Sequence, residues 1–112
     1  MKKFLVLYNA PASAMEQMSK MTPEQSKAGM DAWMAWSKRA GKAIVDLGLP
    51  LGNGTRIAKG GGTSATTCEA RGYSILQGES AQEVQKLMQG HPHFEMQGAS
   101  IDVIEGLPIP GM

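Results

Sequence analysis

A chain of 112 residues with 42% apolar and 19% charged side chains has the size and composition of an ordinary globular protein, and we expect residues 1–112 to form one domain. Its net charge is +1 and its lysines and arginines form no stripe, which disfavours nucleic acid as a partner because neutralising phosphates takes several clustered cations. The apolar run from Phe4 to Tyr8 is too short for a signal peptide or a membrane span, so we expect a cytoplasmic protein without a membrane partner. The single cysteine, Cys68, excludes an internal disulfide, and we expect it to be a buried or half-buried structural thiol.

The first predicted strand, residues 2–8, is apolar on both faces. Alternation along a strand puts one set of side chains on each face, namely Phe4, Val6 and Tyr8 on one and Leu5 and Leu7 on the other. One layer of helices covers only one face of a sheet, so the second face of so small a chain needs another cover. We therefore expect a homodimer that forms through the open face of the sheet.

A long helix is predicted to begin at Thr22, whose side chain can cap it. Pro23 then takes the first helical position and Gln25 completes a capping box. The helix is expected to run to about Ala40 and to end at Gly41. Its expected buried stripe follows the spacing i, i+3, i+4, i+7 and consists of Met30, Trp33, Met34 and Ser37, with Trp36 at its margin.

The middle of the chain contains turn-rich sequence and short strand candidates. Residues 43–47 are either the end of a connection or a short strand. Residues 55–59 are the candidate second strand, and residues 65–70 return from a hairpin whose tip is Gly60–Gly62.

A further strand, a helix and a last strand complete the predicted order. The strand covers residues 72–77, and Ser80 with Glu83 forms a second capping box. The helix that follows ends before Gly90, and residues 99–105 form the last strand. This βαββαβ order predicts an α+β, ferredoxin-like sandwich, which becomes a dimeric α/β barrel when two copies pair through the open sheet face.

Both histidines of the chain lie directly after the second helix. His91 and His93 are separated by Pro92, which prevents the helix from continuing and holds the two residues in an extended or turn geometry. Imidazole is the side chain whose unperturbed pKa lies near neutrality. This stretch is therefore the first candidate for chemistry.

These residues resemble the YCII-related family, also called YciI-like or DGPF-related, a group of small dimeric α/β-barrel proteins. The resemblance covers nearly the whole chain. It is carried by the segments Lys3–Tyr8, Met30–Trp33, Gly72–Gln77, Ser80–Met88, Gly90–Pro92 and Ile101–Val103, together with Pro108. The literal DGPF motif is absent, and Lys59–Gly62 stands roughly in its place.

The resemblance implies a cleft near the helix ends that holds a His–Asp pair. One characterised relative in the family is a dehydrochlorinase that acts on a chlorinated hydroxyquinol-type ring. The helix position at which YciI-like proteins carry the histidine is Asp31 here, and their aspartate before the late proline corresponds to His91. The two residue types are exchanged, so the resemblance implies an Asp31–His91 pair with its members swapped.

Such a pair suits acid–base chemistry near neutral pH, because a carboxylate orients an imidazole and raises its pKa. His93 is a candidate second proton carrier, and Tyr8 is a candidate hydrogen-bond donor to an oxyanion. The predicted activity is a lyase- or dehydrohalogenase-like reaction on a small cyclic or oxoacid substrate, with no cofactor and no metal.

Each of these positions also has a structural interpretation. Asp31 can pair with Lys27 on the helix surface, and His91 can cap the carbonyl end of its helix. His93 can pack beside Phe94. For the whole protein, the alternatives to this acid–base enzyme are a non-catalytic dimeric module that binds a small molecule or a protein, and a cofactor-independent monooxygenase like other dimeric α/β barrels.

Overall fold

The structure, a computed structural model that describes residues 1–112, contains six strands and three α-helices. The strands are β1 (Lys2–Asn9), β2 (Ile44–Asp46), β3 (Thr55–Ile57), β4 (Thr63–Ala65), β5 (Ala70–Gly78) and β6 (Ser100–Glu105). The helices are α1 (Ala12–Ser19), α2 (Pro23–Ala40) and α3 (Ala81–Leu87), and 3₁₀ turns cover Gly41–Ala43 and Pro92–Glu95. None of the helices combines the length and the apolar character that crossing a bilayer requires.

Four of the strands form one antiparallel sheet in the order β2-β5-β1-β6. β1 lies at its centre, with Phe4 opposite Leu76 of β5 and Glu105 of β6. β1 and β5 are neighbours at the centre of the sheet, and β2 and β6 form its edges. This small α+β arrangement is compatible with the predicted ferredoxin-like sandwich, and the closed dimeric barrel stays a prediction.

The two faces of the sheet differ in their cover. On the inner face, α2, α3 and the turn after α3 bury Phe4, Val6 and Tyr8. On the outer face, Leu5 and Ile104 lie opposite each other and are exposed, Ile104 by 47%. The predicted assignment of the β1 side chains to the two faces is therefore confirmed, and the outer face has no cover within one chain.

Helix α2 begins and ends where its sequence predicts. The Thr22 side chain accepts a hydrogen bond from the Gln25 amide at 3.1 Å, and the Gln25 side chain accepts one from the Thr22 amide at 2.9 Å. Gly41 ends the helix with a positive φ of 53°.

The predicted buried stripe of α2 was wrong at its two methionines, whereas Trp33 and Ser37 are partly buried. Met30 is 63% exposed and Met34 is exposed as well, whereas Trp36 and Ala40 are buried and Trp33 is half-buried. The helix is rotated because the two indole rings offer more apolar area to the core than the thioether chains do, so the core takes the tryptophan side.

The second strand of the sheet is Ile44–Asp46, and residues 55–59 do not belong to the sheet. β3 and β4 pair only with each other and form a separate two-stranded ribbon. We refer to residues 49–69, which contain this ribbon, as the arm. Cys68 is exposed on the arm, so the expectation of a buried or half-buried thiol was also wrong.

Candidate functional site

The turn after α3 carries both histidines into the interior. α3 ends at Leu87, Gly90 adopts a φ of 72° in the turn that follows, and Pro92 then opens a 3₁₀ turn. The Nδ1 atom of His91 caps this turn by accepting a hydrogen bond from the backbone amide of His93 at 2.9 Å. His91 is only 1% exposed and His93 is also buried.

His91 is enclosed by aromatic side chains from α2 and β1. Its ring centroid lies 4.4 Å from Trp33, 4.4 Å from Trp36 and 5.1 Å from Tyr8. The Trp36 indole is held in place by a 2.8 Å hydrogen bond from Nε1 to the Leu87 carbonyl at the end of α3. We call His91, Trp33, Trp36 and Tyr8 the aromatic box.

The second ring nitrogen of His91 is a buried polar atom without a hydrogen-bond partner. Because Nδ1 accepts the His93 amide, the proton of the neutral imidazole resides on Nε2. Around it, the indole and phenol ring faces are at most weak acceptors. Buried donors are nearly always paired in native proteins, so an unpaired one marks a candidate ligand site.

Burial keeps the His91 imidazole uncharged. The pKa of His91 is lowered from 6.5 to about 4, first by desolvation and then by repulsion from His93 and Arg39. At neutral pH, His91 is therefore a neutral donor through Nε2 and not an imidazolium. This is opposite to the raised pKa expected for an Asp–His pair.

The Tyr8 hydroxyl belongs to a buried hydrogen-bond chain. Ser74 donates to the Leu47 carbonyl at 2.6 Å, so at 2.9 Å the Tyr8 hydroxyl must donate to the Ser74 oxygen. Burial raises the pKa of Tyr8, against a smaller opposing effect of the Ser74 hydrogen bond. Since the Tyr8 proton is already used, Tyr8 is placed as a wall of the box and not as the expected donor to an oxyanion.

His93 lies on another side of Tyr8, at 5.4 Å between ring centroids. Its Nε2 is 2.8 Å from the carbonyl oxygen of Asn9. A carbonyl can only accept, so His93 donates from Nε2, and its Nδ1 is left as the basic nitrogen of the neutral ring. His91 and His93 thus offer opposite functions, one a free donor and the other a free acceptor.

Asp31 does not reach either histidine within this chain. Its carboxylate binds Lys27 at 2.9 Å one helical turn away, and both side chains are exposed. The predicted Asp31–His91 pair is therefore not formed. The physical reason is that Asp31 projects from the solvent side of α2 while Trp33 and Trp36 occupy the side that faces His91.

Replacing Asp31 with asparagine should have little effect. Exposed i, i+4 ion pairs contribute about 0.3–0.5 kcal/mol, so we expect the free energy of unfolding to fall by no more than that. The pKa of His91 should not move, because no carboxylate contacts its ring. Urea unfolding and an NMR titration of the His91 ring in wild type and Asp31→Asn test both statements, and a shifted His91 pKa would contradict the observed separation.

The main members of the box that sequence reasoning did not assign to a site are Trp33 and Trp36. Their spacing, i and i+3 on one helix, is the signal that could have indicated an aromatic wall facing the histidine turn. No three His, Cys, Asp or Glu side chains come together in a way that could hold a metal ion. A cleft of about 360 Å³ between α1 and residues 95–97 has three methionines among its seven lining residues, and neither histidine lines it.

Comparison with known proteins gives remote structural similarity. No family model matches the chain, and no curated protein sequence matches it. Among solved structures, the chain is similar to 5-chloro-2-hydroxyhydroquinone dehydrochlorinase from Burkholderia phenoliruptrix AC1100, determined in complex with 2,5-dihydroxybenzoquinone. The two are 18% identical over 91% of each chain, with a TM-score of 0.48. Membership of the YCII-related family stays a prediction.

Proposed function

We propose that this chain is a homodimeric, YCII-like protein that binds a small planar ring at His91 and acts on it by acid–base chemistry of the lyase or dehydrohalogenase type. The observation that carries the proposal is the buried Nε2–H of His91, which has no acceptor inside the protein. An unpaired buried donor costs about 1–3 kcal/mol, and a ligand oxygen that accepts from it recovers this energy.

The box suggests both the shape and the chemistry of the ligand. Its walls are flat rings, against which a planar cyclic molecule stacks well. Its only free polar atom is a neutral donor, which calls for a carbonyl or phenolate oxygen. Trp33 is the half-buried member of the box, so rotation of its indole is the proposed route of entry.

In the proposed reaction, each histidine uses the nitrogen that the structure leaves free. His91 donates from Nε2 to the ring oxygen on which negative charge develops, and its low pKa keeps it a donor rather than a base. His93 accepts, through Nδ1, a proton from the ring carbon next to the carbonyl. The electron pair of that carbon–hydrogen bond moves onto the carbonyl oxygen. When it returns, a carbon–carbon double bond forms and halide leaves from the adjacent carbon, so the products are the unsaturated ring, halide and a protonated His93.

The dimer in this proposal forms through the outer sheet face. Leu5 and Ile104 are exposed there at neighbouring register positions of β1 and β6. A second copy is the simplest cover for an apolar sheet face, because isologous pairing brings the same apolar side chains together from both subunits.

A non-catalytic binding module is the second candidate. It is favoured by the absence of any carboxylate in contact with either imidazole, so that the proposed base, His93, is oriented by the Asn9 carbonyl alone and has no negative charge beside it to raise its basicity. The monooxygenase alternative is not carried further, since that chemistry calls for a roomy aromatic-lined cavity and only 5% of the residues are aromatic.

Binding of 2,5-dihydroxybenzoquinone, a planar ring with carbonyl oxygens, tests the proposal. We expect it to quench the fluorescence of the tryptophans, and His91→Phe, which keeps a ring but removes the donor, should weaken binding at least tenfold. Asp31→Asn is the matched control and should bind like wild type. Equal binding by His91→Phe and wild type would place the ligand elsewhere and overturn the proposal.

Turnover separates the two candidate functions. If the protein is the proposed enzyme, we expect it to release chloride from a chlorinated hydroxyquinol. Both His91→Phe and His93→Phe should then lose this activity. Binding that depends on His91 without any chloride release is the result expected of the module.

A further inference from the structure

The arm, residues 49–69, extends away from the body of the protein, and almost nothing covers it. Every residue of β3 and β4 is exposed, and Ile57 on β3 is 73% exposed. The arm is anchored at its base, where the Leu51 amide donates to the Arg71 carbonyl at 2.9 Å, Pro50 forms a bridge with Gly72 and the Glu69 carbonyl accepts from the Ala10 amide at 3.0 Å. Beyond that point its ribbon hydrogen bonds join arm residues to one another.

An uncovered ribbon of this kind has little stability of its own. Two-stranded hairpins without a third strand or a packed helix are marginal in water, and each strand here has only three residues. The tip adds three consecutive glycines, Gly60–Gly62, which raise the entropy lost on ordering. A regular ribbon at this position therefore needs a surface to pack on.

The accessible area of the whole chain indicates how much surface a partner could cover. A compact monomer of 11.9 kDa exposes about 6,000 Å², whereas this chain exposes 8050 Å². Its radius of gyration is 15.8 Å, against about 13 Å for a compact chain of this length. The excess of about 2,000 Å² is more than twice the roughly 800 Å² that each partner buries in a standard interface, and it suits an obligate dimer.

The shape of the chain limits what the arm can contact. The molecule measures 51 × 41 × 19 Å, and a sheet with one layer of helices is already about 20 Å thick. The arm therefore extends within the plane of this slab, past the sheet, and does not fold back over its own outer face. A second slab stacked on the outer face offers the arm a surface that its own chain does not.

From these observations we infer that the arm is an intersubunit contact, which packs on a second copy of this chain beside the paired outer faces. The inference rests on the dimer of the proposed function and adds a second contact region to it. Ile57 supplies the exposed apolar side chain of the contact. The charged residues of the arm are Arg56, Lys59 and, at its base, Glu69. Asp102, which accepts a hydrogen bond from the Asn9 side chain, is an exposed acidic residue on the outer face and opposite in charge to Arg56 and Lys59.

Sedimentation over a concentration series tests the contact. Ile57→Lys puts a charge on the exposed ribbon and should raise the dimer dissociation constant at least tenfold. Met30→Lys is the matched control, since Met30 is 63% exposed on the helix side, away from the outer face, and should leave the constant unchanged. Ile104→Lys should weaken the dimer through the sheet face itself.

Hydrogen exchange gives an independent readout of the arm. The Ala58 and Thr66 amides donate to Gly62 and Gly54 carbonyls at 2.7 and 3.1 Å, and we expect them to be protected in the dimer and to exchange nearly freely on dilution to monomer. One combination of results overturns the arm inference alone. In it, Ile104→Lys disrupts the dimer, but the arm amides exchange freely and Ile57→Lys leaves the dimer dissociation constant unchanged. A chain that is monomeric at every concentration overturns the dimer as well.

Discussion

Replacing Gly48 with alanine is expected to destabilise the fold by about 3 kcal/mol or more, which lowers the melting temperature by about 15 °C. A β-carbon at this position would lie 1.7 Å from the Tyr73 carbonyl oxygen and 2.6 Å from its carbon. These are backbone atoms of β5, so the clash cannot be relieved by a side-chain rotation. Gly48 also has a φ of 85°, a left-handed conformation that costs an alanine a further 1–2 kcal/mol or so.

Gly90→Ala is the matched control for Gly48→Ala. Gly90 has a similar φ of 72°, but a β-carbon there meets nothing within 4 Å. The control should therefore lose only the conformational part, about 1–2 kcal/mol. Thermal unfolding of the two variants beside wild type measures the difference, and equal losses would show that the close approach of Gly48 to Tyr73 does not exist.

Gly48→Ala should also affect the candidate site, because the neighbouring residue Leu47 takes part in the hydrogen bonds that hold Tyr8. The Leu47 carbonyl accepts the Ser74 hydroxyl, which in turn accepts the Tyr8 hydroxyl. Moving residue 48 away from β5 would draw the Leu47 carbonyl with it and break this chain. Tyr8 would then lose the partner that holds its ring against His91.

Features decided by neighbours in sequence were predictable. The start of α2 is set by Thr22, Pro23 and Gln25, which interact within one helical turn, and its end is set by Gly41. The faces of β1 follow from strand alternation alone. In each case the interaction that decides the structure lies inside the segment from which it is predicted.

Features decided by competition between distant segments were not predictable in the same way. α2 carries methionines on one side and tryptophans on another, and only packing against β1 and the histidine turn decides which side is buried. Residues 55–59 are as suitable for a strand as residues 44–46, but the place beside β5 is taken by the segment that leaves α2 directly. The arm is what remains outside the sheet.

The candidate site shows the same division. The two histidines and the turn that presents them were predicted from Gly90 and Pro92. The partner of His91 was not, because Asp31 has Lys27 one turn away on its own helix, and a local ion pair needs no tertiary contact. That the Nε2 of His91 has no partner is a property of the packed box, which no residue spacing reveals.

Acidification should destabilise the native protein by about 3 kcal/mol through His91 alone. The pKa of His91 is about 4 in the folded state, against 6.5 for the unperturbed imidazole. Between these values the unfolded chain binds a proton that the native state does not, so stability falls as pH falls from about 6.5 to about 4. Below pH 4 both states are protonated at His91 and its contribution stops changing.

The comparison that isolates this effect is wild type against His91→Phe, with unfolding free energies measured by urea at pH 7, 5.5 and 4. The phenylalanine fills the same box without a titratable group, so the difference between the two proteins should decline across this window. An NMR titration of the native wild type should then place the His91 pKa near 4. A native His91 that titrates near 6.5 would mean that water reaches its ring and the aromatic box is open.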